Sequence, residues 1–399
     1  MNDILIARHP VFDKNLDIVG FNIIVKRYKD IFNPVFIDKH NISHIIPNSL
    51  QDFNPEKLSS PYLSFFPISP QLIDNNIAQL IDPRTTVLEI NKTFDNDKCT
   101  DQLRYCFKIG FTIAFDGFDI KDINHELFKI VNIIKIDFKK SELSEINAIV
   151  RYLSKNNKKT LVKNINSLDE FDECRKIGID YYQGLFIWQP QKNIAKKISS
   201  SKIVILRLLS RLHDPKIEFK EMAELIKSDT TLSYKLLRLI NSAYYAIPKR
   251  IESIPQALTL IGMIRIKNWA SLLLLSSVTD KPSYLIFTAL ERAKMCEILA
   301  NTHDVTKKDI AFLIGLFSVL DSIFDLPLRD VLSTLPLTKE IQNALLYYEG
   351  EMGEILLSVI SYQKGEWAKV FNGGFNPEVI RNAFIESLDY VSSLSAILR

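Results

Sequence analysis

The sequence predicts an α/β plus all-α protein: a shortened TIM-like (βα) barrel in the N-terminal half, followed by an all-helical second half. Three observations predict it. Up to about residue 197, apolar runs of strand length recur at 4–7, 18–25, 62–66, 86–90, 111–115, 133–136, 160–162 and 181–185. Several of the later runs end in a polar motif: Leu88-Glu89-Ile90, Phe115-Asp116-Gly117-Phe118, Ile134-Lys135-Ile136-Asp137 and Tyr182-Gln183-Gly184. In a βα barrel the C-terminal ends of the strands converge on one mouth, so polar residues there surround one site. Beyond about residue 199 the apolar period becomes three to four residues and stays so.

Taken in order, eight apolar runs suit a closed barrel, and helical stretches between the later ones argue for a mostly parallel sheet with crossover helices. The helical stretches 101–109 and 168–177 each run into a glycine, Gly110 or Gly178, as a helix ending in left-handed backbone favours. Residues 28–61 break the rhythm, so part of the rim is expected to be trimmed or irregular. Pro190 stops the last barrel element and Ile198-Ser199-Ser200-Ser201 begins a helix, which divides the chain into 1–197 and 198–399. In the second part Met222, Leu225 and Ile226, then Leu232, Leu236, Leu237, Leu239 and Ile240, make one apolar face per helix. Ser253-Ile254-Pro255-Gln256 reads as a capping box, Thr306 with Asp309 as another, and Asn376-Pro377 as a third helix start. The apolar run 269–278 is far shorter than the roughly 20 residues that span a bilayer, so a buried helix and no membrane insertion are expected.

A chain of 399 residues, 47% hydrophobic and 24% charged, is long enough for two domains. Its net charge of +3, with no block of Lys and Arg interleaved with aromatics, argues against nucleic acid as a partner. Cys99, Cys106, Cys174 and Cys296 lack the close spacing of a zinc site or redox pair and read as reduced thiols. The chain starts on polar Asn2 and Asp3 without a basic-then-apolar leader, so a cytoplasmic protein is expected. No phosphate-binding loop, dinucleotide glycine fingerprint or Ser-His-Asp arrangement is present, and no cofactor is expected.

In order and type, the strand-end motifs resemble those of the EAL family of cyclic-di-GMP phosphodiesterases over roughly the first half of the chain. The helical half resembles the HDOD domain in Leu212-His213-Asp214-Pro215, Leu225-Ile226-Lys227-Ser228-Asp229, the stretch from Leu236 through Asn241-Ser242-Ala243-Tyr244-Tyr245, and Ile254-Pro255-Gln256-Ala257-Leu258-Thr259-Leu260-Ile261-Gly262. That resemblance implies a helical fold related to HD phosphohydrolases without their metal centre, used in bacterial signalling. Accordingly His213-Asp214 and His303-Asp304 are expected in turns and caps and not as metal ligands, since ligands come in convergent sets.

The EAL resemblance implies two divalent cations held by carboxylates and an amide, which polarise a phosphate and activate a water. In Gly20-Phe21-Asn22-Ile23-Ile24-Val25-Lys26-Arg27, Asn22 stands where the resemblance places a glutamate ligand, and the phosphate-contacting arginine becomes Lys26 or moves to Arg27. Pro67 replaces an asparagine, Gly117 a second aspartate, Lys163 a glutamate and Asn166 another. Glu89, Asp116, Lys135 and Gln183 remain as the nucleotide-site residues, and Lys163 is expected to pair with Glu89 or Asp116. From these departures the barrel is expected not to be an enzyme. The expected role is a non-catalytic bacterial signal-transduction protein acting through protein contacts, with a protein partner or a homodimer. The alternatives are a cyclic-di-GMP sensor without hydrolysis and a weak phosphodiesterase with a rebuilt metal site. Asn241, Tyr244 and Arg250 are the candidate contact residues, against the simpler reading of Asn241 as a helix cap.

Overall fold

The computed structural model describes residues 4–28, 31, 58–73, 81–94, 97–117, 126–188, 200–242, 250–278, 281–371 and 374–398. Eight strands, β1 (Ile4–Phe12), β2 (Ile18–Arg27), β3 (Leu63–Pro67), β4 (Thr86–Ile90), β5 (Thr112–Asp116), β6 (Ile133–Asp137), β7 (Lys159–Ile165) and β8 (Tyr181–Gly184), close into a barrel in sequence order. Neighbours from β2 to β8 are parallel, whereas β1 runs antiparallel to both β2 and β8. The cause is local. The Asp13 carboxylate accepts from the backbone N–H groups of Asn15 and Asp17, and Leu16 takes a left-handed φ of 66°, so β1 returns directly as β2. A tight turn of this kind joins only antiparallel strands; parallel ones need a crossover.

Crossover helices at Asp97–Lys108, Leu143–Lys155 and Leu168–Lys176 link β4 to β5, β6 to β7 and β7 to β8. The helix before β8 starts where the Ser167 hydroxyl accepts from the Glu170 N–H. β8 then approaches β7 so closely that a Cβ on Gly184 would lie 1.8 Å from the Ile165 carbonyl oxygen, which only glycine allows.

Inside the barrel, Val11, Phe65, Val87, Ala114, Ile133 and Leu161 form one fully buried layer, with Tyr181 packed against it. Side chains on a strand alternate faces with a period of two, so residues two positions onward on each parallel strand face the same interior one layer higher. Those residues are Pro67, Glu89, Asp116, Lys135, Lys163 and Gln183. β1 runs the other way, so its member of that layer is His9, paired in register with Asn22 on β2.

The helical part is built around Ser283–His303, which packs against Lys308–Phe317, Pro377–Leu398 and Met263–Ser276. A Cβ on Gly315 would lie 2.6 Å from Ala293 Cα, so the first two of these helices touch backbone to backbone. Met263–Ser276, which covers most of the apolar run noted above, is buried from Asn268 through Leu275. Among the described residues no helix is long and apolar enough to cross a membrane. The helix starts at Ser253 and Asn376 form as expected: the Ser253 hydroxyl accepts from Gln256 N–H and the Asn376 side chain from Glu378 N–H. Thr306 does not cap with Asp309. Asp304 takes that role, accepting from the Thr306 N–H at 2.9 Å and hydroxyl at 2.6 Å, because a carboxylate two residues earlier reaches both donors of the short turn Val305–Lys307.

By contacts the chain forms two compact units, one of residues 1–187 with Gln363–Ala368 and one of Trp188–Tyr362 with 369–399.

Candidate functional site at the barrel mouth

The four residues expected in the mouth stand in one interior layer, and its three charged members, with Lys163, form two ion pairs. Lys135 Nζ donates to Glu89 Oε2 at 2.7 Å and to Asn22 Oδ1 at 2.8 Å, with the lysine side chain 2% exposed and the glutamate 12%. Lys163 Nζ donates to both oxygens of Asp116, at 2.5 and 2.7 Å, and both side chains are about a quarter exposed, at 23% and 26%. Of the two partners open to Lys163 in the sequence, the structure gives it Asp116; Glu89 belongs to Lys135. A shift in the β7–β8 register between Val162 and Ile165, with Asn164 at φ 66° and its amide donating to Asp137 Oδ1, marks a bulge beside Lys163, which stays paired with Asp137 of β6. Bulges commonly re-aim a side chain.

Gln183 is 8% exposed, and its buried side-chain oxygen accepts no hydrogen bond among the described residues. A buried carbonyl oxygen left unmatched costs free energy unless something supplies a donor.

His9 was not foreseen. It faces the mouth layer, and its Nε2 lies 3.1 Å from the carbonyl oxygen of Gln363, as the ring donor to that acceptor. Burial pushes its pKa down; the Gln363 and Lys364 carbonyls oppose that shift, and the Lys135 charge adds to it. The signal available in the sequence was its place two residues before Val11, but only the pairing of β1 with β2 shows that this is the mouth side.

Two divalent cations, as the EAL resemblance implies, need several oxygen donors free to turn to a metal. Here each mouth carboxylate already holds a lysine ammonium, Asn22 offers a neutral oxygen that Lys135 uses, and among the described residues no group of three His, Cys, Asp or Glu gathers as a metal site. These residues do not fit a pair of cations.

Of the contact residues, Asn241 caps the helix Thr230–Ile240 and bonds to Ile251: its amide donates to the Leu237 and Ile251 carbonyls at 2.8 Å each, and its oxygen accepts from Ile251 N–H at 2.9 Å. Arg250 is exposed, and Tyr244 lies outside the described residues. His213 sits in the turn after Ser200–Leu212 and meets the Ser271 hydroxyl at 2.8 Å; His303 closes the long helix and packs edge-on against Phe375.

Comparison with known proteins now adds to this geometry. Residues 198–329 match the model of the HDOD domain. The chain thus joins a closed eight-stranded βα barrel to a helical part whose residues 198–329 match the HDOD domain. Over 98% of its length it is 25% identical to the cyclic di-GMP phosphodiesterase CdgJ of Vibrio cholerae, covering 93% of that protein. Over 98% of both chains it is 24% identical to the uncharacterized protein YuxH of Bacillus subtilis. Among solved structures, the PaMucR phosphodiesterase in complex with c-di-GMP is 14% identical with a TM-score of 0.39, over 48% of this chain and 93% of that one.

The expectation that the barrel is not an enzyme is overturned by the first of these relatives, which aligns with 98% of this chain and is named as a phosphodiesterase. The expectation equated lost family ligands with lost activity. Substitution of one oxygen donor changes how a site is built; it does not measure turnover.

Proposed function

We propose that this EAL–HDOD protein serves cyclic-di-GMP signalling and that the barrel mouth is its nucleotide site. The observation that carries the reading is the unmatched Gln183 oxygen in the same interior layer as the part-exposed Lys163–Asp116 pair. A guanine edge carries N–H donors able to satisfy such an oxygen, and a phosphodiester carries the negative charge that a lysine ammonium meets as a point charge. The full-length relationship to a protein named for that nucleotide supports the choice of ligand.

Calorimetric titration of the whole protein with cyclic-di-GMP, with and without magnesium or manganese, and chromatography of the product test the reading. Saturable binding is expected, weakened about tenfold or more by Lys163→Glu and by Gln183→Leu, as loss of a charged or buried hydrogen bond implies. Linear dinucleotide formed at the same site would support it further. Neither heat of binding nor product at saturating nucleotide would overturn it.

The reading extends to the second domain. The division at 197 and 198, a cytoplasmic setting, and a protein partner contacted through Asn241, Tyr244 and Arg250 are part of this proposal. Four buried thiols support the reducing compartment, and an exposed Arg250 next to Ile251, which Asn241 holds by two hydrogen bonds, supports the contact. Loops on a rigid scaffold carry binding more often than helix faces do.

A further inference from the structure

The helical unit contains a cavity of about 200 Å³ into which four helices send side chains. Met263–Ser276 contributes Arg265, Asn268 and Trp269 at helical spacing; Ser283–His303 contributes Lys294 and Glu297; Lys308–Phe317 contributes Asp309 and Phe312; and Pro377–Leu398 contributes Tyr390. None of these polar groups belongs to the barrel mouth, and the cavity stands on residues of one unit alone.

Its polar groups are unevenly satisfied. Asn268 is 3% exposed and uses its amide N–H to donate to the Asp309 backbone carbonyl at 2.8 Å, while its side-chain oxygen accepts no hydrogen bond among the described residues. The Arg265 guanidinium and the Asp309 carboxylate stand 3.7 Å apart, too far for a hydrogen bond, and neither side chain makes one among the described residues. On the other wall Lys294 donates to Glu297 at 2.9 Å and lies 5.2 Å from the centre of the Tyr390 ring. Trp269, Phe312 and Tyr390, all nearly buried, supply apolar surface between the two walls.

We propose that this cavity binds a small zwitterion of the α-amino acid class. Two cations and two carboxylates make the lining neutral in sum, so a ligand of either net charge would leave a like charge desolvated, which is costly. A zwitterion answers both unmatched groups at once. Its carboxylate takes the Arg265 guanidinium, which suits a planar two-oxygen acceptor. Its ammonium lies between the Asp309 carboxylate and the free Asn268 oxygen, and its side chain meets the aromatic surface. The volume sets the size: at about 30 Å³ for each water in the liquid, the cavity holds about six or seven waters' worth of ligand and falls below the range for drug-sized molecules.

Thermal-shift and calorimetric titration of the full-length protein with each of the proteinogenic L-amino acids tests the proposal. At least one should raise the melting temperature saturably, and its methyl ester and its N-acetyl derivative, which lack one charge each, should not. Arg265→Gln and Asp309→Asn should each weaken binding at least about tenfold, the loss of one charge-assisted hydrogen bond. Arg265 is 37% exposed on its side chain, so its variant keeps a cooperative melt even if Asp309→Asn does not. If no amino acid shifts the melt, if the ester or the acetyl derivative binds as tightly as its parent, or if Arg265→Gln binds unchanged, the proposal is wrong. None of these readouts involves cyclic-di-GMP, so they stand or fall apart from the barrel mouth.

Discussion

The barrel mouth and the helical cavity both gather cations and carboxylates, yet they hold them differently. In the mouth the partners touch, at 2.7 Å for Lys135–Glu89 and 2.5 Å for Lys163–Asp116, whereas in the cavity Arg265 and Asp309 stop 3.7 Å apart. The difference follows from the elements that deliver them. Adjacent strands lie about 4.8 Å apart and send one residue each to the same layer, so opposite charges on nearby strands arrive within reach of each other. Helices pack with axes about 8–10 Å apart, and side chains reaching across that space leave a gap unless something fills it. Both pairs in the mouth are thus in contact, whereas in the cavity only Lys294 and Glu297, on one helix, touch at 2.9 Å, and Arg265 and Asp309, on two, do not.

The largest test of that contrast is Lys135→Met. It leaves Glu89 in the interior with no counter-charge, and removing one partner of a buried pair costs about 3–5 kcal/mol. The denaturant midpoint should fall accordingly, and Glu89→Gln placed on top of it should restore much of the loss. A midpoint equal to the parent's would mean that the inner pair is not closed to water.

A smaller effect belongs to the helical half. Burial, with the Lys267 charge second, pushes the His213 pKa down to about 3 from 6.5. The neutral ring is therefore favoured in the folded state: its stability is full above pH 6.5 and is lost as pH falls toward 3. By pH 5 the loss should reach about 2 kcal/mol. Melting curves of the parent and His213→Gln between neutral pH and pH 5 should converge as the pH drops. His9 shifts in the same direction and stays in both proteins, so the difference between the curves isolates His213.

The smallest effect sharpens the comparison within the mouth. Lys163→Met should cost about 1 kcal/mol or less, because both ions of that pair are partly solvated and water replaces the lost partner. Should it cost as much as Lys135→Met, the outer pair is as sealed as the inner one and the distinction between layers fails.

Much of the barrel was legible before the structure. Val, Ile and Phe runs of strand length located all eight strands, and the polar residue closing several of them marked the mouth. Lys163 and Asp116 could be named, as could Glu89 and Lys135, but not who faces whom. Both pairs join strands two apart in the barrel, β4 with β6 and β5 with β7, and the order of the strands around the barrel is not written in the sequence. His9 was hidden in the same way, by the pairing of β1 with β2. In the helical half, Asp309 was read as part of a cap with Thr306. Periodicity shows which face of one helix is apolar; it does not show which charged residues on different helices share a cavity. The inference from departures at Asn22 and Lys163 to inactivity was the step that failed.

What the sequence determined by itself is therefore local and periodic: strand or helix, where each begins and ends, and which residues stand at strand ends. Those properties depend on a residue and its near neighbours, through alternation, capping and glycine at left-handed turns, and they survive without knowledge of the rest of the chain. The tertiary structure decided partnership. It gave Lys135 to Glu89 and Lys163 to Asp116, turned His9 toward the mouth, and left Asn268 with an unspent oxygen among four helices. Such pairings are set by register and by helix packing across dozens of residues, where a shift of one position reverses the face a side chain presents.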